Sequence, residues 1–333
     1  MFKKSLSIVF VLALILIVLS GWAVAQEEFP TKPIDIIVGS PPGGTTDLAA
    51  RFLAATAPPF LNDVAINAVN MPGGHQMIAF NYVASSVDPD GYTLIVGYGE
   101  QNSKVIMGVD LPVNVDPDPE VGVFRPIIGS LGYSSALVVP YDSPFESIDE
   151  LVEYAKENPG ELSWGHTGTY GLHWMMGMSF WKAEDVDLVE VPFDGGAATR
   201  QAVSGGHVDC AVAATFLFPD FTKDKLIRVL AIFAPERDPL VEDVPTFREL
   251  GYDVFDALSF KIIGAPVETP DWKIKRLYEG FKQAEETAAF KQMLKSQGLI
   301  FIGWSPEECQ EKAQEYDSKV KELIANDIIP KIE

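Results

Sequence analysis

Residues 29–51 decide the fold, and they read FPTKPIDIIVGSPPGGTTDLAAR. An apolar strand over residues 34–39 is followed by a Pro/Gly turn and then by the start of a helix. The prolines stop the strand, while Gly43 and Gly44 let the backbone turn tightly and leave its N–H groups unshielded. Because the first N–H groups of a helix have no intrahelical partner, an anion can bind at this helix N-terminus.

Five residues of this turn are the first candidate ligand-binding residues: Gly43, Gly44, Thr45, Thr46 and Asp47. The last three are also residue types that cap a first helical turn. For Asp47 a role as cap and turn orienter is favoured, because an ionised carboxylate is unfavourable beside a bound anion but favourable at a helix N-terminus. The alternative for the whole turn is an ordinary strand–helix junction without a ligand. The local sequence alone favours that alternative, since such junctions are common in α/β proteins.

The first 25 residues have the pattern of a secretory signal peptide. Lys3 and Lys4 precede an apolar run over residues 6–19, and residues 23–25 (AVA) provide a small-x-small cleavage site. The run is shorter than the roughly 20 residues of a spanning helix, although an uncleaved anchor is the alternative. We therefore expect a periplasmic protein of about 308 residues after cleavage, a length that favours two domains.

The formal net charge of −22 limits the classes of partner. It argues against nucleic acid and against anionic membrane surfaces. A small anionic ligand stays compatible with this charge, because local N–H groups would hold it and long-range repulsion is screened beyond roughly 8 Å in physiological salt.

Strands, Gly-rich turns and helices alternate along the chain, which implies parallel pairing and right-handed crossovers. Ser147 and Ser305 each precede a glutamate by three residues, which predicts two helix capping boxes. Ligands on such sheets bind at the carboxyl ends of the strands, where residues 43–47 and Tyr98 fall. The expected strands cover residues 34–39, 64–69, 92–97, 136–139, 162–165, 188–191, 208–213, 226–233, 260–265 and 299–302.

Six short motifs occur in order along nearly the whole mature chain: FPxKPI (29–34) with PGGxxDxxAR (42–51), PDGYTL (89–94), FRPI (124–127), AKxNPG (155–160) and GxxxxH (168–173). Each motif is weak alone, and together they are specific. They resemble those of the solute-binding receptors of tripartite tricarboxylate transporters, the Bug-type extracytoplasmic receptors.

The resemblance implies an α/β fold with two domains, a type II periplasmic-binding-protein-like clamshell in which each domain is a mostly parallel sheet flanked by helices. We expect residues 26–134 with 236–333 to form one domain and residues 135–235 to form the other. By the resemblance, the opening turn grips a small carboxylate from one side, and the turns at 165–173 and 193–199 grip it from the other.

The second side adds further candidate ligand-binding residues. Those assigned by the resemblance are Thr167, Gly168, Thr169, Gly195 and Gly196. Tyr98, Tyr170 and His173 are expected to line the cleft, with packing in the core or at the rim as the alternative.

Two turns depart from the family pattern. The turn at residues 70–77 is bulkier than the usual glycine-rich one, and the usual Tyr-Lys-Gly of the later turn is Phe193-Asp194-Gly195 here. Asp194 joins the candidate ligand-binding residues, and its replacement of a cation argues against a simple dicarboxylate ligand.

Signals for catalysis or metal binding are weak. No GxSxG elbow, HExxH motif or Walker lysine occurs, and His166 and His173 lie too far apart for a same-turn metal pair. Cys210 and Cys309 lie in patterns typical of core or helix, so two free thiols are favoured over a bridge. We therefore expect no enzyme, no cofactor and no metal.

The expected function is that of a solute-binding protein. Its expected partners are a small organic carboxylate and the membrane subunits of a tripartite tricarboxylate-type transporter, and a monomer is expected. A ligand-sensing receptor for a signalling partner is the alternative, and a secreted hydrolase is less favoured.

Overall fold

The computed structural model describes residues 28–98, 123–218 and 222–331, so the expected leader lies outside the described residues. The described strands are β1 (Ile34–Val38), β2 (Ile66–Asn70), β3 (Thr93–Tyr98), β4 (Phe124–Tyr133), β5 (Ser135–Pro140), β6 (Ser163–His166), β7 (Val189–Pro192), β8 (Cys210–Ala214), β9 (Ile227–Phe233), β10 (Ser259–Pro266) and β11 (Ile300–Trp304). The described helices are α1 (Thr45–Thr56), α2 (Met77–Ser85), α3 (Ile148–Glu157), α4 (Leu172–Ala183), α5 (Gly196–Ser204), α6 (Asp271–Glu285), α7 (Ala288–Ser296) and α8 (Pro306–Ala325). All ten expected strands are present, with ends shifted by one or two residues.

The strands form two mixed sheets. The first has the order β11-β4-β10-β3-β1-β2, and the second has the order β7-β6-β8-β5-β9. In the first sheet β1 pairs in parallel with β2 and β3, as the strand–helix alternation predicted. In the second, β6 pairs in parallel with β7 and β8. The remaining pairings in both sheets are antiparallel, so the expectation of mostly parallel sheets is correct only for one end of each sheet.

Two of the three antiparallel pairings of the first sheet involve β4, which the sequence did not predict as a strand. Pro126 and two glycines, Gly129 and Gly132, disguise it. The glycines are needed for packing: a Cβ on Gly132 would lie 2.9 Å from the carbonyl oxygen of Ser259, and one on Gly129 would lie 3.0 Å from the Trp304 side chain. Since these neighbours come from distant β10 and β11, no local pattern reveals the strand.

The opening strand β1 is buried on both faces. Ile36 and Val38 pack with α1 and α6 in one apolar cluster, while Ile37 packs in the cluster that contains α2. Its nearly continuous apolar run is typical of a strand covered by helices on both sides. The start of α1 is therefore held at the carboxyl end of a fully buried strand.

The chain crosses between the sheets at Ser134 and again after β9. Thr215, just after β8, links the first crossing to the segment after β9: its N–H donates to the Ser134 carbonyl (2.9 Å), and its hydroxyl donates to the Asp238 carboxylate (2.6 Å). Both Thr215 and Asp238 are buried. The first crossing and this segment are thereby joined by hydrogen bonds that are shielded from water.

The segment after β9 packs on the second sheet before the chain returns. The Phe247 ring lies 4.2 Å from Phe233 of β9 and 4.7 Å from Phe180 of α4, and the Phe255 N–H donates to Ser179 Oγ (2.9 Å). We therefore propose that residues 236–255 belong with the second sheet, and that the boundary expected at residue 235 lies about twenty residues later.

Cys210 and Cys309 are separate buried thiols, as expected. Burial raises the pKa of both. Among residues 28–98, 123–218 and 222–331, no helix has the length and apolar character needed to cross a bilayer.

Glu285, the last residue of α6, is a buried carboxyl in the first sheet's core. It is 1 % exposed, and it lies close enough to Ser130 of β4 and to Cys309 of α8 to interact with both electrostatically. Burial raises the pKa of Glu285 to about 8, and the Ser130 hydroxyl opposes this rise only in part. The folded protein therefore keeps a proton that the unfolded chain releases near pH 4.5.

This proton makes stability depend on pH. Because the folded state binds more protons than the unfolded state between about pH 4.5 and 8, the free energy of unfolding should fall as pH rises through this window, by up to about 1.4 kcal/mol per pH unit. Glu285→Gln should flatten the fall, as measured by urea unfolding at pH 5, 6.5 and 8.5. Glu286→Gln, at the exposed next residue, is the control. Identical pH profiles for both variants and the wild type would contradict this account.

Candidate ligand-binding site

The four described helices that follow parallel strands begin without a side-chain cap. These are α1, α2, α4 and α5, and their N-cap residues are Gly44, Gln76, Gly171 and Gly195. In contrast, α3, α7 and α8 are capped by the hydroxyls of Ser147, Thr287 and Ser305, and the expected capping box at Ser305 and Glu308 is complete. Helix α6, which starts after Pro270 at the opposite edge of the first sheet, also lacks a side-chain cap.

Asp47 is the centre of the opening turn. Its carboxylate is 1 % exposed and accepts hydrogen bonds from the Gly43 amide (2.9 Å), Arg51 Nε (2.7 Å) and Asn70 Nδ2 (2.8 Å). Burial alone would raise the pKa of Asp47, but the hydrogen bonds from Arg51, Gly43 and Asn70 lower it below its ordinary value. The sequence favoured a role for Asp47 as cap and turn orienter over ligand contact. These contacts orient the turn, but Asp47 does not cap α1, whose N-cap residue Gly44 has no side-chain cap hydrogen bond.

Asn70, at the end of β2, ties this turn to the neighbouring strand. Its Nδ2 donates to the Ser40 carbonyl (2.9 Å) as well as to Asp47, and its Oδ1 accepts from Arg51 Nη2 (2.9 Å). The sequence analysis treated the turn at residues 70–77 only as bulky and missed this contact. The sequence signal that could have revealed this contact is the amide side chain of Asn70 at the end of the strand that pairs with β1.

Gly43 shapes the turn, and its amide is already engaged by Asp47. Its φ of +94° is a conformation that favours glycine, and a Cβ at this position would meet nothing within 4 Å. Gly195, at the start of α5, has the same two properties, with φ +91°. The opening turn and the turn before α5 therefore each present an open glycine backbone next to a helix without a side-chain cap.

Thr45 and Thr46 form the first turn of α1. Their exposed fractions are 9 % and 6 %, and in the described part of the chain neither hydroxyl has a hydrogen-bond partner. The hydroxyls and the amides of this turn are the donors that α1 can offer to a ligand.

In the turn before α4, the hydroxyls of two threonines that were predicted to bind a ligand contact neighbouring side chains. Thr167 Oγ1 lies 2.6 Å from Nδ1 of His173, a buried residue in the first turn of α4. Thr169 Oγ1 donates to Glu190 Oε1 (3.3 Å), which also contacts Nε2 of buried His166 (3.1 Å). Burial lowers the pKa of His166, and Glu190 only partly opposes this effect. These contacts shape the turn before α4.

Gly168 and Tyr170 complete this turn. Gly168 has φ +117° and its carbonyl accepts from the Gly171 N–H (3.3 Å), while Tyr170 has φ +64° and packs edge-on against Trp174 at 5.2 Å. Trp174 was not predicted as a site residue. Its indole Nε1 is buried and has no hydrogen-bond partner among the described residues.

Asp194 is exposed at the turn before α5, so its charge is largely hydrated. The Gly195 N–H donates to the Phe193 carbonyl (3.0 Å), and the Gly195 carbonyl accepts from the Thr199 N–H (3.2 Å). The amides of α5 that remain available to a ligand therefore begin at Gly196. Tyr98 is the last residue of β3, and its side chain lies outside the described part of the structure.

Two of the helix starts lie beside residues near the ends of β4 and β8. A Cβ on Gly196 of α5 would lie 2.6 Å from Leu217, and Leu217, like Leu48 of α1, packs against the apolar cluster of the first sheet. The Tyr133 ring at the end of β4 lies 6.3 Å from the ring of His173 in the first turn of α4. The convergence of the starts of α1, α4 and α5 on one ligand stays a prediction.

Other features of the described surface do not coincide with this region. A cavity of about 730 Å³ lies between α6 and the start of α8, and it contains none of the predicted ligand-binding residues. Among residues 28–98, 123–218 and 222–331, no group of three His, Cys, Asp or Glu side chains could hold a metal ion.

Comparison with known sequences identifies a family. The family model described as "Tripartite tricarboxylate transporter family receptor" matches residues 50–328. A Cupriavidus necator protein described as "UPF0065 protein in gbd 5'region" is 32 % identical, over 80 % of this chain and 79 % of its own. The protein BugT of Bordetella pertussis is 25 % identical, over 86 % of both chains.

Solved structures share the fold. The periplasmic binding protein BugD is 25 % identical, with a TM-score of 0.76 over 90 % of this chain and 98 % of its own. MatC from Rhodopseudomonas palustris with bound malate is 26 % identical, with a TM-score of 0.78 over 89 % and 100 %. Another R. palustris protein, with adipate, is 25 % identical, with a TM-score of 0.76 over 89 % and 97 %.

The network around Asp47 predicts a specific loss of stability. Asn70→Ala should lower the free energy of unfolding by about 2–3 kcal/mol, because it removes bonds to a buried, ionised carboxylate. The control is Asn67→Ala, also in β2. It removes an exposed hydrogen bond from Asn67 to Asp35 of β1 (2.8 Å) and should lower the free energy of unfolding by less than about 1 kcal/mol. Equal losses in urea unfolding at pH 7 would refute a special role for Asn70.

Proposed function

This chain belongs to the tripartite tricarboxylate transporter receptor family, and we propose that it captures a small organic carboxylate between its two sheets and delivers it to the membrane subunits of a tripartite tricarboxylate-type transporter. In this proposal the protein works as a monomer in the periplasm, after removal of the leader at residues 1–25.

The observation that carries the proposal is the distribution of helix caps. The helices that follow parallel strands, α1, α2, α4 and α5, leave their first amides without a side-chain cap, as does α6, whereas α3, α7 and α8 satisfy theirs with hydroxyls. Unpaired amides at a helix N-terminus favour an anion, both by hydrogen bonding and through the helix dipole. Each hydrogen bond to a charged group contributes roughly 1.5–3 kcal/mol, and desolvation and ordering offset part of that gain.

The relatives support a carboxylate as the ligand class. MatC is described with malate and another R. palustris protein with adipate, and both share the fold along nearly their whole length. Malate and adipate are small dicarboxylates of different length. The relatives therefore support small carboxylates as the ligand class of this chain and do not point to one individual compound.

The candidate residues suit binding better than catalysis. His166 and His173 are buried and contact Glu190 and Thr167, and these contacts shape a turn. Asp47, the most engaged carboxylate of the opening turn, accepts three hydrogen bonds and stays ionised, so it is poorly suited to act as a general acid. A receptor needs fixed donors and a cleft and no reactive group, so these contacts support a binding role over a catalytic one.

Ligand binding should raise thermal stability. Malate, adipate and related carboxylates should be tested by thermal shift, and a true ligand at a hundred times its Kd should add about 2.7 kcal/mol to the free energy of unfolding. Adipamide, the neutral diamide of adipate, is the control and should give no shift. The absence of any shift across a broad carboxylate panel would refute the proposed function.

The first turn of α1 should contribute directly to affinity. Thr46→Val removes a hydroxyl without changing shape, and it should weaken binding of the carboxylate found in that screen by about tenfold. Thr56→Val is the matched control at the other end of α1, where the hydroxyl bonds the Phe52 carbonyl (2.7 Å). It should alter stability and leave the Kd unchanged, as measured by titration calorimetry. An unchanged Kd for Thr46→Val would remove this residue from the site.

A further inference from the structure

The cavity of about 730 Å³ between α6 and α8 has no role in the proposed function. Its lining includes two buried apolar residues, Pro126 of β4 and Ile274 of α6. Tyr278 of α6 and Pro306 of α8 are half-buried and also line it. Voids inside a close-packed protein are rarely larger than a water molecule, whereas binding sites commonly measure about 300–1,000 Å³. This space, which we call the α6–α8 groove, therefore has the size and the apolar lining of a binding site.

The rim of the α6–α8 groove is charged. Asp271, Lys275, Glu307 and Glu311 line it and are exposed to solvent, and Arg125 is half-buried beside them. Arg125 Nη1 lies 2.6 Å from Asp271 Oδ1, so these two charges compensate each other. One ammonium and two carboxylates remain, which leaves the groove with a net charge of −1. The groove therefore favours a cationic occupant.

The two remaining carboxylates lie on the same side of α8. Glu307 and Glu311 are four residues apart, so they are neighbours on the helix surface, and both line the groove. The start of α8 is fixed by its complete capping box. On the opposite side, Arg125 also donates to the Thr269 carbonyl (2.9 Å), so β4 holds the start of α6 in place. Both sides of the groove are thereby formed by anchored helix starts.

The groove lies far from the ligand-binding edge of the first sheet. That edge contains the ends of β3 and β4, because Ile262 of β10 pairs with Tyr98 and Ser259 pairs with Tyr133. Pro126, which lines the groove, is near the opposite end of β4. At about 3.3 Å per residue, the strand from Pro126 to Tyr133 spans roughly 23 Å. An occupant of the groove therefore does not compete with a ligand at the other edge.

We propose that the α6–α8 groove is a docking site for a cationic segment of a partner protein. An aromatic or long aliphatic side chain of that segment fills the space beside Ile274 and Tyr278, and a Lys or Arg next to it pairs with Glu307 and Glu311. The predicted ligand-binding residues all lie elsewhere, so this inference does not rest on the proposed function.

The net charge of the whole chain argues against a second copy as the occupant. Each copy carries a formal charge of −22, so two copies repel each other, whereas a basic partner is attracted. Aromatic residues and Arg are enriched at protein interfaces, and Tyr278 and Arg125 supply both types here. A buried apolar anchor contributes most of the affinity, while the exposed charges select the sign of the partner and speed its approach.

Three labelled seven-residue peptides with blocked ends test the chemistry of the occupant. GKLWRKG combines cations with apolar anchors, GELWEEG reverses the charges, and GKSSRKG keeps the cations without the anchors. In fluorescence anisotropy at about 50 mM salt, GKLWRKG should bind the protein at least about tenfold more tightly than either of the others. Raising the salt to about 500 mM should weaken its binding, because salt screens the exposed charges.

Variants locate the binding. Glu307→Gln/Glu311→Gln removes only exposed charges and should weaken GKLWRKG binding by about three- to tenfold, mainly at low salt. Tyr278→Ala removes the aromatic side of the groove and should weaken binding by about tenfold at both salt concentrations. Glu286→Gln/Glu322→Gln is the matched control. It makes the same charge change at exposed positions that do not line the groove, and it should leave the Kd unchanged.

Four outcomes would contradict this docking site. They are no binding of GKLWRKG, binding as tight in the groove variants as in the wild type, equal losses in Glu307→Gln/Glu311→Gln and in the control, and a dimer that Tyr278→Ala abolishes. Equal losses would indicate general attraction to an acidic surface, and such a dimer, seen by sedimentation velocity, would assign the groove to a second copy. If Tyr278→Ala does not fold, the variant of the two exposed glutamates decides the question.

Discussion

The carboxylate of Asp47 fixes the conformation of the opening turn. It holds the Gly43 amide, Arg51 and Asn70 in one buried network, and it thereby fixes the direction in which α1 leaves β1. Because an ionised group is stable there only while all its donors are present, the turn has one well-defined shape. Under the proposed function, the amides of Thr45 and Thr46 would be held in place before a ligand arrives, which would lower the ordering cost of binding.

The helices differ in how their first amides are satisfied. Helices α3, α7 and α8 are capped by the hydroxyls of Ser147, Thr287 and Ser305. Helices α1, α4 and α5 lack that stabilisation, worth about 1 kcal/mol for each cap. Under the proposed function, a bound anion would supply it, and ligand affinity and the lower stability of the ligand-free protein would then have a common source.

The sequence predicted the sheets' parallel ends and the helix starts, because their signals are local: apolar runs, Gly turns and cap residues. It failed where the explanation lies in distant neighbours. Strand β4 is hidden by Gly129 and Gly132, whose need is apparent only beside β10 and β11. Gly43 was expected to donate its amide to a ligand, but that amide donates to Asp47, which Asn70 of the neighbouring strand also contacts.

The crossing at Ser134 limits how the two halves can move. Strand β4 ends at Tyr133 and β5 begins at Ser135, so a single residue joins the sheets, and Thr215 ties it to Asp238 in the segment after β9. Such a short, bonded connection resists sliding and favours rotation as the motion between the sheets. Under the proposed function, a small rotation at Ser134 would give a larger displacement at the helix starts. Ligands of different length would then be bound at different angles between the two sheets.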